Sequence, residues 1–198
     1  HQIKNKENFK QLDKILQFSK NLPNIKLSLA NTGGIMLGSK FCLDQTRPGI
    51  GLFGIDNFGN HIELNSRRLK LPLSLHGPVI QIRDVDIGEK ISYGGVDITK
   101  RKSKLATIGI GYADGWLRLL KPNSSFLIMK KKCKVLGNIT MDSFVLDVTN
   151  LKEKSLKEGD YLCLLDNANI KNIVTKLDII SYELLTIMGN RLLRKYNS

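Results

Sequence analysis

The chain has 198 residues, 41% of them hydrophobic, with three cysteines and a formal net charge of +13. That is enough apolar content for a packed core in one large domain or two small ones, and no apolar run approaches the roughly 18 residues of a membrane span, so a globular chain without a membrane partner is expected. Cys42, Cys133 and Cys163 are odd in number, widely spaced and free of any Cys-x-x-Cys phrase, which argues against a disulfide framework or a zinc site and fits a reducing, cytoplasmic setting.

The sequence opens on His1 and runs directly into a helix-like pattern without a leader, so its start is expected to be a cut rather than a natural beginning. Apolar positions recur at three and four from Phe9 through Leu12, Ile15 and Leu16, which predicts an amphipathic helix ending before Pro23. Ile25 to Ala30 alternates Leu27 and Leu29 with polar neighbours and predicts a strand. Asn31-Thr32-Gly33-Gly34 then reads as a strand-to-helix corner with glycines free to take unusual backbone angles. A second such corner follows at Arg47-Pro48-Gly49-Ile50. Helix, strand, glycine corner and repeat is the pattern of a βα barrel, so residues 1–68 are expected to be part of one.

Beyond Arg68 the pattern changes to short strands punctuated by turns. Val79 to Ile82, Lys90 to Tyr93, Leu105 to Ile110, Ser125 to Met129, Cys133 to Leu136, Phe144 to Val148 and Tyr161 to Leu165 are the predicted strands. Asp86-Ile87-Gly88-Glu89-Lys90-Ile91 and Lys157-Glu158-Gly159-Asp160-Tyr161-Leu162 echo each other as glycine-centred turns feeding a strand. Asp114-Gly115 after an apolar run is a signal for a tight hairpin. The tail from Asp178 to Tyr196 has a helical apolar pattern. Residues 69–198 are therefore expected to form a mainly-β domain closed by a helix.

The charge invites a nucleic-acid reading. The densest basic groups, Lys130-Lys131-Lys132-Cys133-Lys134, Arg101-Lys102-Ser103-Lys104 and Arg67-Arg68, are not interleaved with aromatic residues that could stack on bases. A solvated basic surface that attracts polyanions only non-specifically at low salt is the preferred account. His61 and His76 lack metal-ligand spacing and read as surface histidines.

Ile110-Gly111-Tyr112-Ala113-Asp114-Gly115-Trp116, Ile91-Ser92-Tyr93-Gly94, Arg47-Pro48-Gly49-Ile50, Ala30-Asn31-Thr32-Gly33, Thr140-Met141-Asp142-Ser143 and Ile180-Ser181-Tyr182-Glu183 occur at separations that together resemble the alanine racemase family. The resemblance covers the C-terminal part of such an enzyme. It implies the end of a TIM-type barrel binding pyridoxal 5'-phosphate, followed by a mainly-β C-terminal domain, in an enzyme interconverting L- and D-alanine for peptidoglycan precursors.

By that resemblance Tyr93 is one of two catalytic bases. An ordinary tyrosine titrates near 10, so this one needs nearby positive charge, for which Arg47 and His1 are candidates. Arg47 faces the cofactor's pyridine nitrogen; a guanidinium cannot readily hand over a proton, which keeps that nitrogen neutral and favours reprotonation over transamination. Thr32 stands where the family has serine, and with Tyr182 and the backbone N–H groups of Gly49 and Ile50 it binds the phosphate. His1 matches a histidine bonded to the cofactor-facing arginine. Tyr112, Met141 and Asp142 match residues that reach across a homodimer interface to the partner's substrate site, with Ser143 where the family commonly has glutamine. Each also has a plain structural reading: a surface ion pair for Arg47, a helix N-cap for Thr32, core packing for Met141, a solvated strand-end tyrosine for Tyr93 and a core-edge aromatic for Tyr182.

The family's covalent cofactor lysine, in an Ala-Asn-Ala-Tyr-Gly context, has no counterpart here. The chain alone is therefore expected to be inactive, and its first 68 residues to be poorly ordered or aggregation-prone when expressed alone. A non-catalytic dimerisation or binding remnant and a basic nucleic-acid binder are the alternatives.

Overall fold

A computed structural model describes residues 5–22, 24–55, 69–116, 118–120, 125–152, 155–166, 169–170, 173–174 and 179–196. His1, His61, Arg67 and Arg68 lie outside the described residues. The chain divides into two compact units, His1–Leu73 and Ser74–Ser198.

In the first unit, helix α1 spans Lys6–Ser19 and starts where the Asn5 side chain accepts the Glu7 N–H at 2.9 Å, filling one of the donors that a helix start leaves open. Its apolar stripe places Leu12 in a small core with Ala30 and Phe41, a burial contributing about 2 kcal/mol. Phe9 meets the Phe41 ring edge-on at 5.4 Å. Strand β1 (Ser28–Asn31) pairs in parallel with β2 (Gln45–Arg47), with helix α2 (Thr32–Met36) between them, the connection typical of a βα unit. The strand begins later than the expected Ile25. Asn24 adopts φ 64° and the Leu27 N–H turns to the Asp44 carboxylate at 2.9 Å. A 3₁₀ turn at Ile50–Phe53 follows the second glycine corner. Two paired strands, short of a barrel, are what the described residues of this unit contain.

The second unit is built on one six-stranded antiparallel sheet in the order β10-β3-β6-β9-β8-β7. Its members are β3 (Leu75–Val85), β6 (Ser103–Ile108), β7 (Ser125–Ile128), β8 (Lys131–Leu136), β9 (Phe144–Asp147) and β10 (Tyr161–Leu165). The outer strands β10 and β7 approach each other, so the sheet is nearly closed. Alternation sends Phe126, Ile128, Cys133, Val135, Phe144, Leu146, Leu162 and Leu164 inward, as period-two patterning requires. A bulge between Val79 and Gln81 shifts the register of β3 against β6. Gly88 (φ 89°) and Gly159 (φ 87°) hold the two echoing turns in the left-handed region that favours glycine.

Three expectations are corrected. The strand at Lys90 to Tyr93 stops at Ile91: β4 (Lys90–Ile91) pairs with β5 (Asp97–Ile98), which the sequence pattern did not signal. Ser92 turns to φ 64° and donates its hydroxyl to the Asn138 carbonyl at 3.0 Å, so Tyr93 opens a 3₁₀ turn instead. Asp114-Gly115 does not close a hairpin; it ends a 3₁₀ turn at Tyr112–Asp114. In the tail, helix α3 covers Ser181–Thr186 alone. The Gly189 N–H donates to the Asp114 carbonyl at 3.2 Å rather than extending that helix.

Candidate functional site

The first unit assembles hydrogen-bond donors at its two glycine corners. Arg47 ends β2 beside β1, and its Nη1 donates to the Ser28 carbonyl at 2.9 Å and the Ser28 hydroxyl at 2.6 Å, while Nη2 donates to the Leu29 carbonyl at 3.2 Å. The surface ion pair is not what holds it: among the described residues no carboxylate pairs with Arg47, and its Nε has no acceptor. A guanidinium tied to strand carbonyls by both terminal nitrogens is held in place with its Nε donor and one Nη2 donor to spare.

Thr32 is not the helix N-cap. Asn31 takes that position, its side chain accepting the Gly34 N–H at 3.1 Å. The buried Thr32 Oγ1 instead accepts the Gly49 N–H at 2.9 Å and the Gly51 N–H at 3.1 Å. The Gly49 N–H, expected to be a free donor, is therefore spent on Thr32. An oxygen accepting two N–H groups still has its own proton to give, and that proton has no acceptor among the described residues. A Cβ on Gly51 would come within 2.9 Å of the Thr32 methyl, whereas space is open beside Gly49. Ile50 buries its side chain and opens the 3₁₀ turn, where the leading N–H has no acceptor inside the turn. What remains is a set of donors suited to an anion and to a neutral acceptor atom.

In the second unit one connection, residues 137–143 between β8 and β9, brings three candidates together. The Ser92–Asn138 bond anchors the turn bearing Tyr93, and the Gly137 N–H donates to the Asp97 carboxylate at 2.7 Å. The Tyr112 N–H donates to the Thr140 carbonyl and the Ala113 N–H to the Met141 carbonyl, each at 3.0 Å. Gly111 is required there, since a Cβ would overlap the main chain of Thr140 and Met141. Tyr93 is 81% exposed, Tyr112 44% and Met141 52%, so Met141 is not a core residue. Tyr182, in the first turn of α3, is 39% exposed. Beneath the corner Trp116 is fully buried, stacked 6.2 Å from Phe144 and tilted 5.6 Å from Phe126, and its Nε1 has no partner among the described residues. Such ring pairs add about 1 kcal/mol each to burial.

The sequence reading missed Arg191 and the part played by Asp114. The Asp114 carboxylate accepts the Gly111 N–H at 2.9 Å and meets Arg191 Nε at 3.4 Å, while Arg191 Nη2 bonds Asp142 at 2.6 Å. The hydrogen bond to Asp142, and then the Asp114 charge, hold that guanidinium above its ordinary pKa. Only the motif residue Asp114 carried a signal; Arg191 sits in a tail without one.

Elsewhere the basic cluster is partly neutralised: Arg101 pairs with Asp147 at 3.1 Å, Lys102 with Asp86 at 3.6 Å and Lys104 with Asp84 at 3.7 Å. A cavity of about 510 Å³ is lined by Asp84, Asp86, Lys102, Lys104 and Leu151 among others, and none of the candidate residues lines it. His76 is exposed and bonded to Ser74. The three cysteines are free, and no metal-holding cluster or membrane-crossing helix occurs among the described residues.

Comparison with known proteins adds a family and a set of relatives. The family described as alanine racemase, C-terminal domain, matches residues 72–196. The alanine racemase of Brucella canis is 37% identical over 202 residues, covering 97% of this chain and 51% of the relative. That of Rickettsia bellii is 33% identical over 97% of the chain and 46% of the relative. Among solved structures, the Bartonella henselae alanine racemase with covalently bound pyridoxal phosphate superposes with a TM-score of 0.87 at 37% identity, covering 99% of this chain and 54% of that one. The Clostridium difficile 630 alanine racemase in complex with cycloserine gives 0.81 at 29% identity, with coverage of 95% and 51%. The chain thus spans about half the length of the curated relatives it matches.

Proposed function

The chain belongs to the alanine racemase family, and from that premise we propose that it is the C-terminal part of a pyridoxal-phosphate-dependent enzyme that interconverts L- and D-alanine. Residues 1–68 form the closing part of the cofactor-binding barrel and residues 69–198 the C-terminal β domain. The supporting observation is that Tyr93, Tyr112 and Met141 are exposed yet fixed to one connecting segment. Large side chains held out in fixed positions suit an interface. In this reading they enter the active site of the other subunit of a homodimer.

The donors in the first unit fit the cofactor. The Thr32 hydroxyl and Ile50 N–H suit a phosphate, and the Arg47 Nε suits a ring nitrogen. Pyridoxal phosphate, when bound, supplies an electron sink that makes the α-hydrogen of the amino acid acidic. Arg47, permanently protonated, donates to that nitrogen without giving up a proton. Thr32 uses Gly49 and Gly51 to orient its oxygen and donates its proton to the phosphate, with Tyr182 as a further phosphate partner. Tyr93 removes or returns the α-proton on one face. Tyr112, Met141 and Asp142 bound the substrate, and Ser28 and Leu29 orient Arg47.

The second base and the covalent tether are expected from the N-terminal half of the relatives. The test mixes this chain with a separately made N-terminal half and cofactor. Expected are no racemisation by this chain alone, and both a borohydride-reducible cofactor linkage and alanine racemisation in the mixture. Racemisation by the pure chain, or an inert mixture of two folded halves, would refute the proposal.

A further inference from the structure

Two turns carry Tyr112 and Met141, and each also carries a carboxylate. Asp114 sits in the first, its side chain only 10% exposed and one oxygen occupied by the Gly111 N–H. Asp142 sits in the second and is 62% exposed. The bonds from Tyr112 to Thr140 and from Ala113 to Met141 draw the turns, and so the two negative charges, together. Among the described residues Arg191 is the one cation within ion-pair distance of either. Its backbone is held two residues upstream by the Gly189–Asp114 hydrogen bond.

We infer that Arg191 is a positioning residue, bridging Asp114 and Asp142 so that the Tyr112 turn is locked against the Met141 turn. The inference about catalysis rests on the proposed racemase reading, but the lock itself does not. An exposed ion pair adds little to stability, so the Arg191–Asp142 contact is poorly explained as a stabilising device. A carboxylate as covered as Asp114 is different, because removing its counterion leaves a desolvated charge uncompensated. Arginine suits the task because its planar fork offers Nε to one carboxylate and Nη2 to the other, whereas the single ammonium of lysine cannot reproduce both directions. The exposed corner would then be rigid although two of its side chains reach into solvent.

The test uses Arg191→Ala, Arg191→Lys and Asp142→Asn. In the 198-residue chain, amide exchange at Tyr112 and Ala113 is measured with emission from Trp116, the single tryptophan, as a monitor of the core. Arg191→Ala should speed exchange of both amides by about 10-fold, the factor for roughly 1.4 kcal/mol, with Trp116 emission unmoved. Arg191→Lys should recover part of the protection. Asp142→Asn leaves the Asp114 counterion in place and should still speed exchange, which covers the case in which Arg191→Ala does not fold. In the complete enzyme Arg191→Ala should raise KM for alanine by about 10-fold while kcat stays within about threefold, with Lys again intermediate. Unchanged exchange in both Arg191→Ala and Asp142→Asn, or exchange that rises in step with a shift in Trp116 emission, would overturn the inference. A wild-type enzyme that does not racemise alanine defeats the racemase reading alone, because the exchange result still decides the lock.

Discussion

Replacing Thr32 with valine keeps the size and branching of the side chain and removes only the oxygen that gathers the Gly49 and Gly51 N–H groups at 2.9 and 3.1 Å. Gly49 is exposed, so water can take over its bond at a cost near 0.5 kcal/mol; Gly51 is partly buried beside the Thr32 methyl, and its N–H loses closer to about 1.5 kcal/mol. The sum, about 2 kcal/mol, corresponds to roughly 30-fold faster exchange of those two amides if local opening limits exchange. Thr32→Ser is the control. It keeps the oxygen and loses one methyl group, so exchange should quicken by less than about fivefold. The measurement is residue-resolved amide exchange on the full chain, and the same pair should separate in pyridoxal phosphate binding, with serine near wild type and valine weakened. If valine and serine behave alike, or if the Gly49 and Gly51 amides exchange as in the wild type, the hydroxyl does not organise this corner and the reasoning fails.

Gly111→Ala should cost about 2–3 kcal/mol by overpacking, because the backbone there is extended and tolerates alanine but the added Cβ overlaps the main chain of Thr140 and Met141; a lower urea midpoint followed through Trp116, with the slope unchanged, checks it. Cys133 should resist alkylation at neutral pH relative to Cys42, since burial first and the Asp147 charge second push its thiol from 9.0 up to about 11. Because the folded value is the raised one, the stability tied to this group is fully present below pH 9 and is lost as pH rises through about 11. Labelling of Cys133 that levels off near pH 9 in the folded chain would contradict that environment.

Local chemistry was legible where neighbours in sequence are also neighbours in space. The three-four spacing from Phe9 marked α1 because one face of a single helix buries Leu12. Gly88 and Gly159 marked their turns because the positive φ is a demand of the turn itself. Tyr93 was assigned to the end of a strand because Ser92 owes its φ of 64° to its surroundings at Asn138 and Gly137, a contact no spacing rule reaches. The tail helix was drawn too long for the same reason: its apolar residues fit a helical period, while the Gly189 N–H bonds to the Asp114 carbonyl. Thr32 was read as an N-cap or a phosphate ligand, and its part in gathering two glycine N–H groups needed the parallel pairing of β1 and β2.

The amino-acid order by itself determined the family and the identity of the candidate residues, because short motifs such as Ile110 to Trp116 and Arg47 to Ile50 carry side-chain chemistry that survives without coordinates. The tertiary structure alone decided that Tyr93, Tyr112 and Met141 share one anchoring segment and that Arg191 bridges Asp114 and Asp142. Those partners lie tens of residues apart, and hydrogen bonds and ion pairs act over a few ångströms of space regardless of separation along the chain.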